Sequence, residues 1–266
     1  MNRSSLYLRR YVDRLQQSGR YTFVRDEALK ELKISPVALK LAAWRLSRQG
    51  RLVSPRRGFF VIVPLEYKSA GAPPPSWFID QLMEFESESY YVGLLSAAAL
   101  HGAAHQQPQE FQVMASRQMR PAVMGRSRIR FLLKKHIKRT ETVRLKTETG
   151  TMKISTPEST ALDLVRYPTH AGGLNNIATV LADLAEKIDP VRLTEAARRD
   201  DDLPSAQRLG FLLEHIGERV KVDPLAEWLK SFRTRTVCLR PGGPVRRTRK
   251  SERWKVLVNE DVEVSE

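Results

Sequence analysis

The residues best equipped for chemistry in this chain are cationic and clustered. Lys40, Arg45 and Arg48 lie close together, Arg56 and Arg57 stand side by side before Gly58, and Ser35 and Trp44 lie among them. A guanidinium is planar and permanently charged and donates two parallel hydrogen bonds, so it suits a phosphate or the O6/N7 edge of guanine. A lysine supplies a compact charge and a serine hydroxyl a short donor. The predicted chemistry is binding to double-stranded DNA. Arg48 is expected to read a base edge, Arg45 to touch phosphate, and Arg56 and Arg57 to add contacts from the tip of a turn. Val37, Leu41 and Trp44 interrupt these charges with apolar surface. They suit either thymine methyl groups or packing against a second domain or subunit, and packing is the expectation.

A second set of cations comprises Arg126, Arg128, Arg130, Lys134 and Lys135, followed by Arg246, Arg247, Arg249 and Lys250. It predicts a second anion-binding surface. Charge alone leaves open whether DNA, RNA or an acidic protein face would bind there. Catalytic and metal-binding types are sparse. Glu110, Glu148, Lys153, Glu158 and Asp163 make no tight acidic cluster and no Glu-x-Lys spacing that would hold a divalent cation. His101 and His105 are four apart, a metal-ligand spacing on a continuous helix, but Gly102 intervenes and is expected to end the helix. No nucleophile-base order or glycine-rich phosphate loop is present. The reading is a non-enzymatic protein with no cofactor and no metal.

The elements that must carry these groups are legible in the spacing. Residues 24–32 place Ala28, Leu29 and Leu32 on one helical face, with Asp26 and Glu27 where a helix N-terminus favours acids. Lys33 and Ile34 make a short connection. Ser35 and Pro36 supply an N-cap oxygen and a first-turn proline to a second helix that Gly50 closes. Leu39, Ala42, Ala43 and Leu46 fall on its inner side, and Val37, Lys40, Leu41, Trp44 and Arg48 on the outer. Two helices joined so tightly predict a helix-turn-helix, and the β-prone runs 51–54 and 59–63 around a basic turn predict its wing. Residues 6–17 are expected as a third helix, and 21–23 as an extended piece pairing with the wing.

The predicted fold class is α+β, an N-terminal winged helix-turn-helix followed by a mixed α/β C-terminal domain. The first domain is expected over residues 1–67, a proline-rich linker over 68–76 and the second domain over 77–266. In that domain 77–85 and 90–100 read as helices, 110–115, 129–133, 143–146 and 152–155 as strands, and Thr156-Pro157-Glu158 as the start of a largely helical stretch. The tail alternates strand-like 237–239 and 254–258 around a basic run.

Composition sets the outer bounds. The 266 residues carry 45 Lys+Arg against 30 Asp+Glu, a formal charge of +15, and a pI near 10.2, which points to an anionic partner. The charge is banded: residues 1–76 hold 15 basic and 5 acidic side chains, 77–116 hold 0 and 5, and 117–153 hold 12 and 2. Cys238, the single cysteine, excludes an internal disulfide and a cysteine-clustered zinc site. With no membrane-spanning apolar run and no signal-peptide pattern, a cytoplasmic protein is expected.

Arg57-Gly58-Phe59-Phe60, the helix end from Ser96 to Gly102, Thr156-Pro157-Glu158 with Asp163, Arg208-Leu209-Gly210-Phe211-Leu212-Leu213, and Arg253-Trp254 with Asn259 appear in this order. Together they resemble the AbiEi family, the antitoxins of AbiE-type (type IV) toxin-antitoxin systems, over nearly the whole chain. The resemblance implies a winged helix that binds and represses its operon's promoter. It also implies a C-terminal domain that counters a nucleotidyltransferase toxin without a stable complex. Ala43 departs from the pattern, standing where a leucine is expected. Two other readings are a winged-helix regulator controlled by a ligand or partner, marked by ligand binding in the second domain, and a DNA-targeted nuclease.

Overall fold

Helix α1 (Arg3–Gln17) forms where Leu8, Tyr11, Val12 and Leu15 repeat at helical spacing, and all four are buried. The computed structural model describes residues 3–103, 108–245 and 248–263, so His105, Arg246 and Arg247 lie outside the described residues. Strand β1 (Thr22–Val24) leads into α2 (Arg25–Leu32), which has Asp26 and Glu27 in its first turn and ends at Lys33 in the left-handed region, φ 49°. In α3 (Pro36–Arg48) the Ser35 side chain accepts from the Ala38 N–H at 3.2 Å, with Pro36 in the first turn. Leu39, Ala42, Ala43 and Leu46 point into the core, so Ala43 fills an inner position.

Strands β2 (Leu52–Arg56) and β3 (Phe59–Ile62) form a hairpin, and β3 also pairs with β1, giving an antiparallel sheet of order β1-β3-β2. Gly58, at φ +89°, makes the turn, and its carbonyl accepts the Arg25 N–H at 2.8 Å. Phe23 ties sheet to helices, edge-on to Tyr11 at 5.5 Å and stacked on Phe60 at 5.0 Å. These elements and their order are consistent with the winged helix-turn-helix expected from the sequence.

The chain continues through α4 (Ile79–Phe85), β4 (Tyr90–Val92), α5 (Leu94–Leu100), β5 (Phe111–Ala115), β6 (Ala122–Met124), β7 (Ser127–Leu133), β8 (Thr142–Thr147) and β9 (Gly150–Ser155). Their sheet has the order β6-β7-β5-β4-β9-β8, with β5 and β7 parallel and β6 antiparallel to β7. Then follow α6 (Pro157–Arg166), α7 (Gly173–Ala185), α8 (Pro190–Asp200), α9 (Leu203–His215) and α10 (Arg219–Lys230). A small sheet closes the chain, formed by β10 (Val237–Cys238), β11 (Arg249–Ser251) and β12 (Val256–Val258) in the order β10-β12-β11. The fold class is thus mixed α and β, as expected.

One expected helix is not formed. Residues 90–100 split into β4 and α5 because Tyr90, Tyr91 and Val92 are β-prone and all buried, while Gly93 is extended at φ −130°, ψ −173°. A run whose one clearly polar residue, Ser96, is itself buried has no periodicity to separate strand from helix.

The chain divides into two compact units. The first takes residues 1–90, 109–134 and 144–153, and the second takes 91–108, 135–143 and 154–266. In the first, Ala72 is buried within the segment 68–76, and the Ala70 carbonyl accepts the Arg126 N–H at 2.9 Å. In the second, α6 is almost wholly buried and packs against α5, α7, α8 and α9.

Candidate nucleic-acid interface

The outward face of α3 carries the stripe Val37, Leu41, Trp44 and Arg48 at i, i+4, i+7 and i+11, with Lys40 beside it. The three apolar members are 68, 48 and 60 % exposed. Lys40 and Arg48 are exposed too. Across a groove of about 400 Å³, lined by Lys40, Trp44, Val53, Phe60, Arg25 and Arg57, lies the wing, whose Arg57 is exposed. Among the described residues Arg25, Lys40, Arg48 and Arg57 form no ion pair with a carboxylate. Arg25 was not expected here. It stands at the start of α2, and the pairing of Val24 with Phe59 and the hydrogen bond to Gly58 bring it to the wing.

The remaining N-terminal residues differ. Arg45 is half-buried at the flank and donates to Ser5 Oγ at 2.8 Å. Ser35 is exposed at the N-terminus of α3 and spends an acceptor pair on its cap. Arg56 requires a correction. Its side chain is only 17 % exposed, lies 3.6 Å from Glu86, donates to the Arg120 carbonyl at 2.5 Å and stacks 5.1 Å from the Phe131 ring centroid. Burial lowers its pKa, partly offset by the Glu86 charge. The pairing of β2 with β3 shifts register between Val53 and Arg56, and this irregularity accompanies the inward turn of Arg56.

The second basic set is also altered. Arg126, Arg128, Arg130 and Lys134 belong to the first unit, and Lys135, Arg249 and Lys250 to the second. Lys134 is only 3 % exposed and offers no surface charge. Arg130 Nη2 donates to Glu110 at 3.0 Å and Arg128 lies 3.6 Å from the same carboxylate. The hydrogen bond from Arg130 holds the Glu110 carboxyl below the usual range. The register Phe111 opposite Ile129 explains it, since it brings Glu110 from the acidic band alongside Arg128 and Arg130. Arg126, Lys135 and Arg249 are exposed, and Lys250 pairs with Glu252 at 2.8 Å. The second unit has a different cationic cluster, a shallow depression lined by Lys138, Arg139, Glu141, Arg198, Arg199 and Asp201.

The Thr-Pro-Glu segment and Asp163 are interior scaffolding. Thr156 caps α6 through the Ser159 N–H at 3.3 Å, and Glu158 Oε1 accepts the Asp189 N–H at 3.2 Å, tying the starts of α6 and α8. Asp163, fully buried, accepts the Tyr91 hydroxyl at 2.7 Å, and burial followed by the Asp163 charge pushes the Tyr91 phenol well up. The His101 ring nitrogen lies 2.8 Å from the Ser155 carbonyl oxygen. Among the described residues no group of three or more His, Cys, Asp or Glu could hold a metal ion, and no helix is long and apolar enough to cross a membrane.

Fold and site together define an α+β protein with a cationic helix-and-hairpin face and a helical domain held by buried polar contacts. Residues 91–215 match the family model described as the AbiEi antitoxin C-terminal domain. Among solved structures, the crystal structure of the RV2827C protein from Mycobacterium tuberculosis is similar in fold. It has a TM-score of 0.68 at 14 % identity over 97 % of this chain and 92 % of that one. The comparison with curated proteins found no match.

Proposed function

We propose that the chain is the DNA-binding antitoxin of a type IV toxin-antitoxin operon. Its N-terminal winged helix represses the operon's own promoter, and its AbiEi domain counters a nucleotidyltransferase toxin. The antitoxin role follows from the domain matched over 91–215. The DNA-binding role is carried by one observation: Lys40, Arg48, Arg57 and Arg25 surround a single groove or stripe, and among the described residues no carboxylate pairs any of them. Unpaired exposed cations repel one another in the free protein and are relieved by phosphate. Regulation is therefore read as binding, without catalysis.

The test is titration of the full-length protein against duplex DNA from immediately upstream of its coding sequence, with a scrambled duplex as control. Tighter binding to the upstream DNA is expected, with log affinity falling linearly in log salt at a slope of roughly −0.9 per phosphate contacted. Equal affinity for both duplexes would remove the autorepressor reading, and salt-insensitive binding would remove the interface.

A further inference from the structure

Contacts to phosphates and polar base edges account for Lys40, Arg48 and Arg57 but leave the apolar part of α3 unexplained. Val37, Leu41 and Trp44 are among the most exposed large apolar side chains of the first unit, and they lie in register with Arg48, with Lys40 alongside. Covering this stripe with a uniformly apolar partner would bury two cations without counter-charges, at high cost. The partner must offer anionic groups and apolar points side by side. The major groove of DNA does so, because each thymine projects a C5 methyl beside hydrogen-bonding edges, with phosphates along the rim.

The dimensions agree. From Val37 to Trp44 the helix rises about 10 Å, equal to about three base steps at roughly 3.4 Å each. Val37 stands in the first turn of α3, and the N-terminal part of a recognition helix is the part that meets base edges.

We propose that α3 recognises thymine methyl groups in the major groove through Val37, Leu41 and Trp44, with Arg48 reading the adjoining polar edge. Sequence preference is then set largely by apolar contact, and the cations set overall affinity. The proposal rests on the DNA-binding reading and adds the chemical feature that is recognised. Covering one methyl group is expected to strengthen binding about fourfold, so three give roughly 60-fold.

The experiment uses the full-length protein and the same upstream DNA amplified once with dTTP and once with dUTP. Uracil lacks the methyl and keeps every hydrogen-bonding group of the base. Binding to the uracil duplex is expected to be at least about tenfold weaker. Leu41→Asn, at a half-exposed position, is expected to weaken binding to the thymine duplex, narrow the difference between the duplexes, and leave the melting temperature unchanged. Trp44→Ala serves as the second variant, with the same expectation. Salt-sensitive preference for the upstream sequence with equal affinity for thymine and uracil forms would overturn the methyl proposal and leave the DNA-binding reading standing. Failure to prefer the upstream duplex in either form would overturn both. Should Leu41→Asn instead dissociate a dimer while the discrimination persists, the stripe is a subunit interface and the proposal falls.

Discussion

Two neighbouring arginines of the wing have opposite fates, and their substitution should separate binding from folding. Arg57 is exposed at the turn, whereas Arg56 is turned inward among Glu86, Phe131 and the Arg120 carbonyl. Arg56→Ala removes the hydrogen bond to the Arg120 carbonyl and the stacking on Phe131, while Glu86 keeps Arg117 at 2.7 Å, and should cost about 2 kcal/mol of stability, read as a lowered melting temperature. Arg48→Ala removes an exposed group with no described partner. It should leave melting unchanged while weakening DNA binding by about 1–3 kcal/mol, roughly fivefold to 150-fold. The reverse pattern would place the base reader at the wing. At this scale the sequence reveals residue types but not their pairing. Two adjacent arginines look alike in a row of letters, and Glu86 and Glu110 neutralise cations far along the chain only once strands are in register.

Helix α9 shows what several residues that carried the family resemblance do together in the fold. Gly210 faces the six-membered ring of Trp254 so closely that a Cβ there would collide with it, and Trp254 Nε1 donates to Glu214. Gln207 donates to the Trp254 carbonyl at 2.8 Å, Arg208 to the Cys238 carbonyl at 2.8 Å, and Asn259 brackets Arg240 through its backbone N–H and C=O. These side chains clasp the small sheet of β10, β11 and β12 to α9. Gly210→Ala should therefore destabilise the second unit by about 1–3 kcal/mol through overpacking, measured by thermal melting. Near-wild-type melting would mean that Trp254 yields without cost. Elements with caps and clear periodicity were legible: Ser35-Pro36 opens α3 and Thr156-Pro157 opens α6 where the sequence places them. The mostly apolar run at β4 and α5 was not, because strand and helix bury it equally well. Neither was α10, whose Pro224 argues locally against the helix that it occupies.

Across the whole molecule the charge excess of +15 resolves into cations with separate circumstances. The stripe and wing hold Lys40, Arg48 and Arg57 unpaired in the first unit, whereas the cluster at Lys138, Arg139, Arg198 and Arg199 in the second is interleaved with Glu141 and Asp201. Arg139 lies 3.5 Å from Asp201 and Arg199 3.1 Å from Glu141, which leaves Lys138 and Arg198, both exposed and the latter 6.0 Å from the Trp228 ring, as the charges to reverse without breaking an ion pair. Earlier in the chain, Arg128 and Arg130 are poor choices, since reversing them would set two new acids against Glu110 and confound surface charge with folding. If repression and toxin control are separate tasks, the two sets should part in experiment. Changing Lys40, Arg48 and Arg57 to alanine should flatten the salt dependence of promoter binding by about 0.9 in slope for each lost phosphate contact and relieve repression. Rescue of cells from the partner toxin, with the antitoxin supplied from an unrelated promoter, should persist. Lys138→Glu with Arg198→Glu should do the opposite, abolishing rescue while promoter affinity stays within about twofold, the scale expected for a surface change outside a DNA contact. Loss of promoter binding in the second variant would place both clusters on one DNA footprint, and retained rescue there would reduce the depression to solvated charge.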